Sequence, residues 1–364
     1  MGLEKVGFNL IQRIGKTAIN YADDVSFVRR CKKPDLNGLH FVPHPVGDTF
    51  KFQNDVFKTY LDNINKIKVK GLSKEEIPIY DLLKKSMFDA QIKTNGRVKL
   101  PNEIRFEYHR NNGIIRKEAV ASASRDNILY VNKDYFENID ENIVKDLGVF
   151  IKNGYITKDP DGKYKIVDWL RTSESEYFEK ILNKYDKNMP LIDKLNLHRT
   201  GIVGYANLTY QANQAPLAMI ENILSNSAKK QILSNKGVLK PIEEIQKMAR
   251  KEQFSYLQKI ASITPPSAET AMIQKPTSLF VHELGHLSHY QNITLEEHLQ
   301  LQNKLSFIWR MSPKTGDFAS KVSGYAATSP IEFVAEVYSG LVHGQKFSDD
   351  VMKMYKSLKG PVVI

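Results

Sequence analysis

The 364-residue chain contains a single cysteine, Cys31. An intramolecular disulfide is therefore impossible, and so is a zinc site built from several thiolates. A lone thiol is most often an inert small side chain. No uninterrupted apolar run approaches the roughly 18 residues that a transmembrane helix needs. The first residues lack the apolar core of a secretory signal, so the default expectation is a cytoplasmic protein, with export by a signal-independent route left open. Met1-Gly2 begins like a myristoylation signal, but Val6 stands where Ser or Thr is required. Internal repeats and long low-complexity tracts are also lacking.

Hydrophobic residues make up 41% of the chain and charged residues 26%, an ordinary globular composition with ample core material. The net charge of +11 is spread along the chain. Its densest basic run, Arg29-Arg30-Cys31-Lys32-Lys33, is short. A solvated basic surface accounts for it, and a nucleic-acid partner is not expected.

Apolar residues at Leu3, Val6, Leu10, Ile14, Ala18, Tyr21 and Val25 recur in steps of three or four, which predicts an amphipathic helix over 3–25. Such a helix packs on its own protein or makes weak contact with a membrane surface or partner. A loop punctuated by Pro and Gly follows over 34–50. His40 and His44 sit in it and share no helical face, so no metal is assigned to them. Helices are expected at 51–68 and 73–90, the second entered through Ser73 with Glu76 as a capping box. The period then changes. β-formers flank Asn112-Gly113, a hairpin signal, and Asn127 to Asn132 read as another strand. A small sheet is therefore placed at about 98–132. A second hairpin turns at Asp159-Pro160-Asp161-Gly162. Residues 172–263 are helical by pattern, with Ser173 and Glu176 as a capping box and Pro241 opening a long helix to about 262. Tyr205, Tyr210 and the Gln/Asn-rich stretch 211–214 have no assigned chemistry.

The most specific signal is His282-Glu283-Leu284-Gly285-His286. In an α-helix, residues four apart lie on one face, so both imidazoles can converge on one metal ion. Thr277 and Ser278 are N-cap candidates, and Phe280, Val281, Leu284 and Leu287 would bury the helix. Glu283 can reach a water activated at the metal.

Two histidines do not complete a catalytic zinc site, which takes three protein ligands and an open position. A third histidine in the longer H-E-x-x-H-x-x-G-x-x-H pattern is ruled out by His289 and Asn292. The remaining candidates are Glu296, Glu297, Glu332 and Glu336. Glu296 and Glu297 follow His286 too soon to fold back easily, and Glu297 pairs with Thr294 as a capping box. Glu332 and Glu336 lie one turn apart on an apolar helix expected at 330–342, where carboxylates are costly to bury without partners. Glu332 has a rival explanation as a capping-box residue after Ser329. A last helix is expected at about 348–358.

With Tyr325 seven residues before Glu332-Phe333-Val334-Ala335-Glu336, the segment from about 275 to 345 resembles the zinc peptidase domain of the anthrax lethal factor family. That family follows a H-E-x-G-H helix with a tyrosine and then a Glu-aromatic-x-Ala-Glu helix. The likeness covers about a fifth of the chain, and residues 1–95 and 170–265 show none of it. It departs at Leu287-Ser288-His289-Tyr290, where the family commonly has an acidic residue. The resemblance implies a zinc endopeptidase in which His282, His286 and Glu332 hold Zn²⁺. Glu283 acts as general base, Tyr325 donates to the oxyanion, and Glu336 orients a ligand histidine. His289, near the same face, is a further candidate to support the ligands or face substrate.

The expected fold is α+β and mostly helical. An N-terminal helical region (1–95) precedes a zincin-like domain (96–364) whose sheet is separated from its metal helices (277–345) by a helical insertion at about 140–265. The expected partner is a protein or peptide, adding as a strand along 127–132. The rival expectation is a zincin-fold binding or structural module without protease activity.

Overall fold

The structure, a computed structural model, describes residues 60, 62–108, 119–172, 175–264, 276–305, 309, 318–319 and 321–363. The expected helix 3–25, the 34–50 loop, the basic run with Cys31, the Asn112-Gly113 turn and Ser173 lie outside these residues.

The chain forms a small mixed sheet set among many helices, an α+β architecture that is mostly helical. Strands β1 (Lys68–Lys70), β2 (Glu103–Glu107), β3 (Ala121–Ala123) and β4 (Ile128–Asn132) make one sheet in the order β1-β2-β4-β3. The first three in that order run parallel, and β3 is antiparallel to β4. Helix α1 (Ile77–Lys93) crosses between β1 and β2. Its entry keeps part of the expected box, since Glu76 accepts from the Ser73 amide at 2.8 Å, but the helix begins only at Ile77.

Three expectations for this region are corrected. The segment 51–68 does not stay helical, because Lys68–Lys70 form β1 and pair with Glu103–Arg105. A three-residue K-V-K strand is too short to stand out against helical periodicity, and the Lys70–Glu103 ion pair that anchors it is non-local. The described strands flanking Asn112-Gly113 are not sheet neighbours, because β4 lies between β2 and β3. The tight turn into β4 falls at Ser124–Asn127, where Asn127 takes φ 61°, a conformation asparagine tolerates. Finally, β4 is not an edge. Its backbone is paired on both sides, so no further strand can add along 127–132.

Asn132 caps helix α2 (Lys133–Glu137), and α3 (Ile139–Lys152) follows. The Asp159–Gly162 turn joins β5 (Ile156–Lys158) to β6 (Tyr164–Ile166) as expected, with Gly162 at φ 76°. Beyond α4 (Ser175–Leu182), one helical run extends from α5 (Leu191–Leu195) through a π-helical segment (Asn196–Val203) into α6 (Gly204–Gln214). Helices α7 (Pro216–Ser225), α8 (Ser227–Asn235), α9 (Ile242–Lys247) and α10 (Arg250–Ile263) complete the insertion. The long helix expected from Pro241 is thus two. Met248 and Ala249 are extended, and Glu252 accepts from the Ala249 amide at 2.9 Å to start α10.

The C-terminal part comprises α11 (Pro276–Asn292), α12 (Leu295–Leu299) leading into a π-helical turn, α13 (Pro330–Val342) and α14 (Asp349–Ser357). Thr294 and Glu297 form the expected capping box. The principal core joins the sheet, α1, α11 and α13 through Ile79, Leu83, Ile104, Leu129, Phe280 and Phe333. A second core, around Ile220, Leu257 and Ile260, holds the insertion together. Among the described residues, no helix is long and apolar enough to cross a membrane.

Candidate metal centre

Helices α11 and α13 pack against each other at the heart of the principal core. Phe280, Val281, Leu284 and Leu287 bury α11. The helix starts at Pro276, so Thr277 and Ser278 fall inside its first turn instead of capping it. Thr277 Oγ1 instead meets His343 Nε2 at 2.9 Å, and Ser339 Oγ donates to the Ser278 carbonyl at 3.1 Å. Both contacts latch α11 to α13. Gly285 sets their separation: a Cβ there would lie 2.9 Å from the Tyr338 ring and 3.3 Å from Ala335 Cα. Helix α13 starts at a capped turn, with Ser329 Oγ accepting from the Glu332 amide at 3.2 Å. Only the amide serves the cap, because the Glu332 carboxylate reaches the histidines.

His282 Nε2 lies 3.0 Å from Glu332 Oε2 and 3.1 Å from His286 Nε2, and His286 Nε2 lies 3.3 Å from Glu332 Oε2. Glu336 Oε1 lies 2.8 Å from the other ring nitrogen, His282 Nδ1. That nitrogen must carry a proton to face a carboxylate, so in the neutral ring Nε2 presents its lone pair to Glu332 and His286. With His286 Nε2 also unprotonated, three electron-rich atoms face one another, an arrangement that positive charge between them relieves. Burial opposes a charge on His282, but Glu332 and Glu336 outweigh it and favour the imidazolium. Burial likewise would raise the Glu332 carboxyl, yet His286 and His282 hold it well below the usual range. A cation at the same point answers both demands. The donor spacings also suit one: zinc bonds of about 2.0–2.1 Å in a tetrahedron put neighbouring ligand atoms about 3.3 Å apart. His282, His286 and Glu332 form a buried group that could hold a metal ion.

Glu283 is not part of this group. Its Oε2 is buried and meets no hydrogen-bond partner among the described residues. Burial pushes its carboxyl up to about 7, with the charges of His286, His282 and Arg199 pulling the other way. A carboxyl so tuned can exchange protons near neutral pH. Tyr325, on the loop before α13, is 8% exposed, and its ring centre lies 5.5 Å from that of His282.

His289 does not join the group. Its Nε2 meets the Leu358 carbonyl at 2.8 Å, which ties α11 to the C-terminal segment. Burial lowers its pKa to about 4. Neither Glu296 nor Glu297 approaches the histidines; Glu297 takes its capping role and pairs with Lys359.

Compared with family models, curated proteins and solved structures, the chain finds no match in any of the three.

Two contributions to the site are missing from the sequence reading. Arg199, on the π-helical segment, brings its charge to bear on Glu283 from a position 84 residues upstream in the chain. Tyr290 stacks on His286 with ring centres 5.9 Å apart and planes 17° from parallel, and is braced in turn by His298 and Arg125. Tyr290 sits one turn after His286, so helical spacing alone could have suggested it.

Proposed function

We propose that the chain is a zinc-dependent endopeptidase of the zincin type, similar to the anthrax lethal factor family. The observation that carries this reading is the meeting of Glu332 with both motif histidines while Glu283 stays outside the ligand set. Three ligands leave a fourth position open, as in catalytic zinc sites. When bound, zinc supplies a Lewis acid that polarises the scissile carbonyl and acidifies the attacking water.

The remaining work falls to side chains of this chain. Glu283 takes the proton of the attacking water and returns it to the leaving amine. Its raised pKa suits both steps at neutral pH. Tyr325 donates a hydrogen bond to the oxyanion of the tetrahedral intermediate. Glu336 holds His282 with Nε2 turned toward Glu332, which keeps the ligand in one tautomer. The substrate is a protein or peptide.

One observation favours a second reading, a metal-holding module without hydrolytic activity: His282, Glu283, His286, Glu332 and Tyr325 are all buried. Against it, structural zinc sites close with four protein ligands and have no use for an unpartnered carboxyl beside them.

The deciding experiment loads the full chain with zinc and incubates it with a diverse peptide library, with and without a chelator. Cleavage that the chelator stops, and that Glu283→Gln abolishes while zinc is retained, supports the peptidase. Retained zinc with no cleavage by the unaltered chain supports the module. A chain that takes up no transition metal overturns both.

A further inference from the structure

The helical run from Leu191 to Gln214 passes the candidate site twice. At its π-helical segment, buried Arg199 acts on Glu283. Fixing that segment, His198 Nδ1 meets the Tyr135 hydroxyl and its Nε2 meets Asp146 at 2.9 Å. At the far end of α6, Gln211 Nε2 donates to the Val322 carbonyl at 2.8 Å, a contact between residues 111 apart in sequence. Beside it, the Tyr210 ring leaves no room at Gly324, where a Cβ would lie 2.5 Å from Tyr210 Cδ1. Val322 lies three residues before Tyr325, and Gly324 immediately before it.

Other restraints act on this loop: Lys321 Nζ pairs with Asp350 Oδ2 of α14 at 2.8 Å, and Val322, Ala326 and Ala327 are buried in the principal core. Ser323 Oγ accepts from the Ala326 amide at 2.9 Å, Thr328 donates its amide and hydroxyl to the Tyr325 carbonyl, and Trp309 Nε1 donates to the Ala326 carbonyl at 3.2 Å. These give the loop its shape. A side chain carried on a loop needs support from rigid elements to stay within about 0.5 Å of a working position. Here α6 adds such support next to Tyr325, since Gln211 grips the peptide before Ser323 and the Tyr210 ring fills the space beside Gly324.

We infer that Gln211 and Tyr210, on the helical insertion, are positioning residues that hold Val322–Gly324 and thereby keep Tyr325 beside His282. The consequence for chemistry rests on the peptidase reading; the placement of Tyr325 does not. The insertion then becomes part of the active-site frame. Glutamine suits the position because it is a neutral donor to a carbonyl, whereas a glutamate of the same size presents acceptors only.

The test labels the full zinc-loaded chain with 3-fluorotyrosine, which gives fluorine signals from its 17 tyrosines. The Tyr325 signal is assigned as the one lost in Tyr325→Phe. Gln211→Glu and Gly324→Ala should each shift or broaden that signal. In Gly324→Ala, adding Tyr210→Leu should restore it by making room for the new methyl group. Gln211→Met serves if the glutamate variant does not fold. A Tyr325 signal unmoved in folded Gln211 and Gly324 variants overturns the inference.

A second arm measures affinity for an N-phosphoryl dipeptide, a tetrahedral oxyanion mimic. Tyr325→Phe should weaken it, Gln211→Glu should lose part of the same effect, and the double variant should bind no worse than Tyr325→Phe alone. Fully additive losses would overturn the inference, since two independent residues add. Zinc content should stay unchanged throughout. If the unaltered chain binds no phosphoryl dipeptide, the peptidase reading fails, while the fluorine signals still decide the placement of Tyr325.

Discussion

His282 Nδ1 and Glu336 Oε1 lie 2.8 Å apart, and this contact determines which edge of the imidazole faces Glu332. Two carboxylates one helical turn apart on α13 thereby divide their tasks. Glu332 meets Nε2 of both histidines, and Glu336 meets only Nδ1 of one. Glu332→Gln should therefore cost the most zinc affinity, because an anionic ligand becomes neutral. Glu336→Gln should cost about 10–100-fold, as for a partner that orients a ligand. Competition titration with a chromogenic chelator gives both numbers. The opposite ranking would show that the two carboxylates exchange roles.

Zinc that binds only the folded chain should raise its thermal midpoint, and a chelator should lower it. His282→Ala and His286→Ala should abolish that difference. A midpoint indifferent to zinc in the unaltered chain would argue against a metal centre. Calorimetry with and without chelator is the measurement.

Gly285→Ala tests the helix approach. A methyl group would meet the Tyr338 ring and Ala335, both buried, so α11 and α13 must separate or Tyr338 must move. Overpacking of this kind costs about 1–3 kcal/mol, partly offset by about 1 kcal/mol of better helix propensity. Zinc affinity should fall with stability, because the ligands come from both helices. Denaturant unfolding paired with zinc titration would reveal a variant that loses neither.

Glu283→Gln should keep the fold and zinc while ending hydrolysis, since the ligands lie elsewhere. In the unaltered chain, kcat/KM should rise with pH along a limb centred near 7, as burial pushes the Glu283 carboxyl to about that value and only its ionised form accepts a proton. Tyr325→Phe should lose roughly 2–4 kcal/mol of transition-state stabilisation with little change in zinc. A pH–rate profile with no limb between 5 and 9, at roughly two units to either side, would remove Glu283 from the role.

His289 makes stability depend on acid. Burial lowers its folded-state pKa to about 4, while an unfolded histidine titrates near 6.5. Between these values the unfolded chain binds a proton that the folded chain refuses, so stability is full above about 6.5 and falls as pH drops toward 4. The loss reaches about 3 kcal/mol at most, at 1.36 kcal/mol per unit. His289→Gln keeps a donor for the Leu358 carbonyl and should flatten this part of the profile. Urea unfolding across pH 4–8, at about half-unit steps, compares the two slopes. Equal slopes would exclude His289 as the source.

Features that depend on neighbours within a turn or two are legible in the residue pattern alone. The histidine pair on one helical face, the Thr294–Glu297 box, the Ser329 cap, the span 330–342 and the Asp159–Gly162 turn are local, and each stands where the spacing puts it. Tertiary structure decided what separate segments do together. Whether Glu332 serves its cap or the histidines was open in the sequence, because one side chain fits both; packing of α13 on α11 sends the amide to the cap and the carboxylate to the histidines. Strand order behaved likewise. A strand's pattern shows its faces but not its neighbours, so β4 read as an edge and lies inside the sheet. His289 shares a helical stripe with the ligands, yet the Leu358 carbonyl claims it from 69 residues away. Arg199 and Gln211 carry no motif, and only the folding of the insertion against α11 and the Tyr325 loop gives them a place at the site.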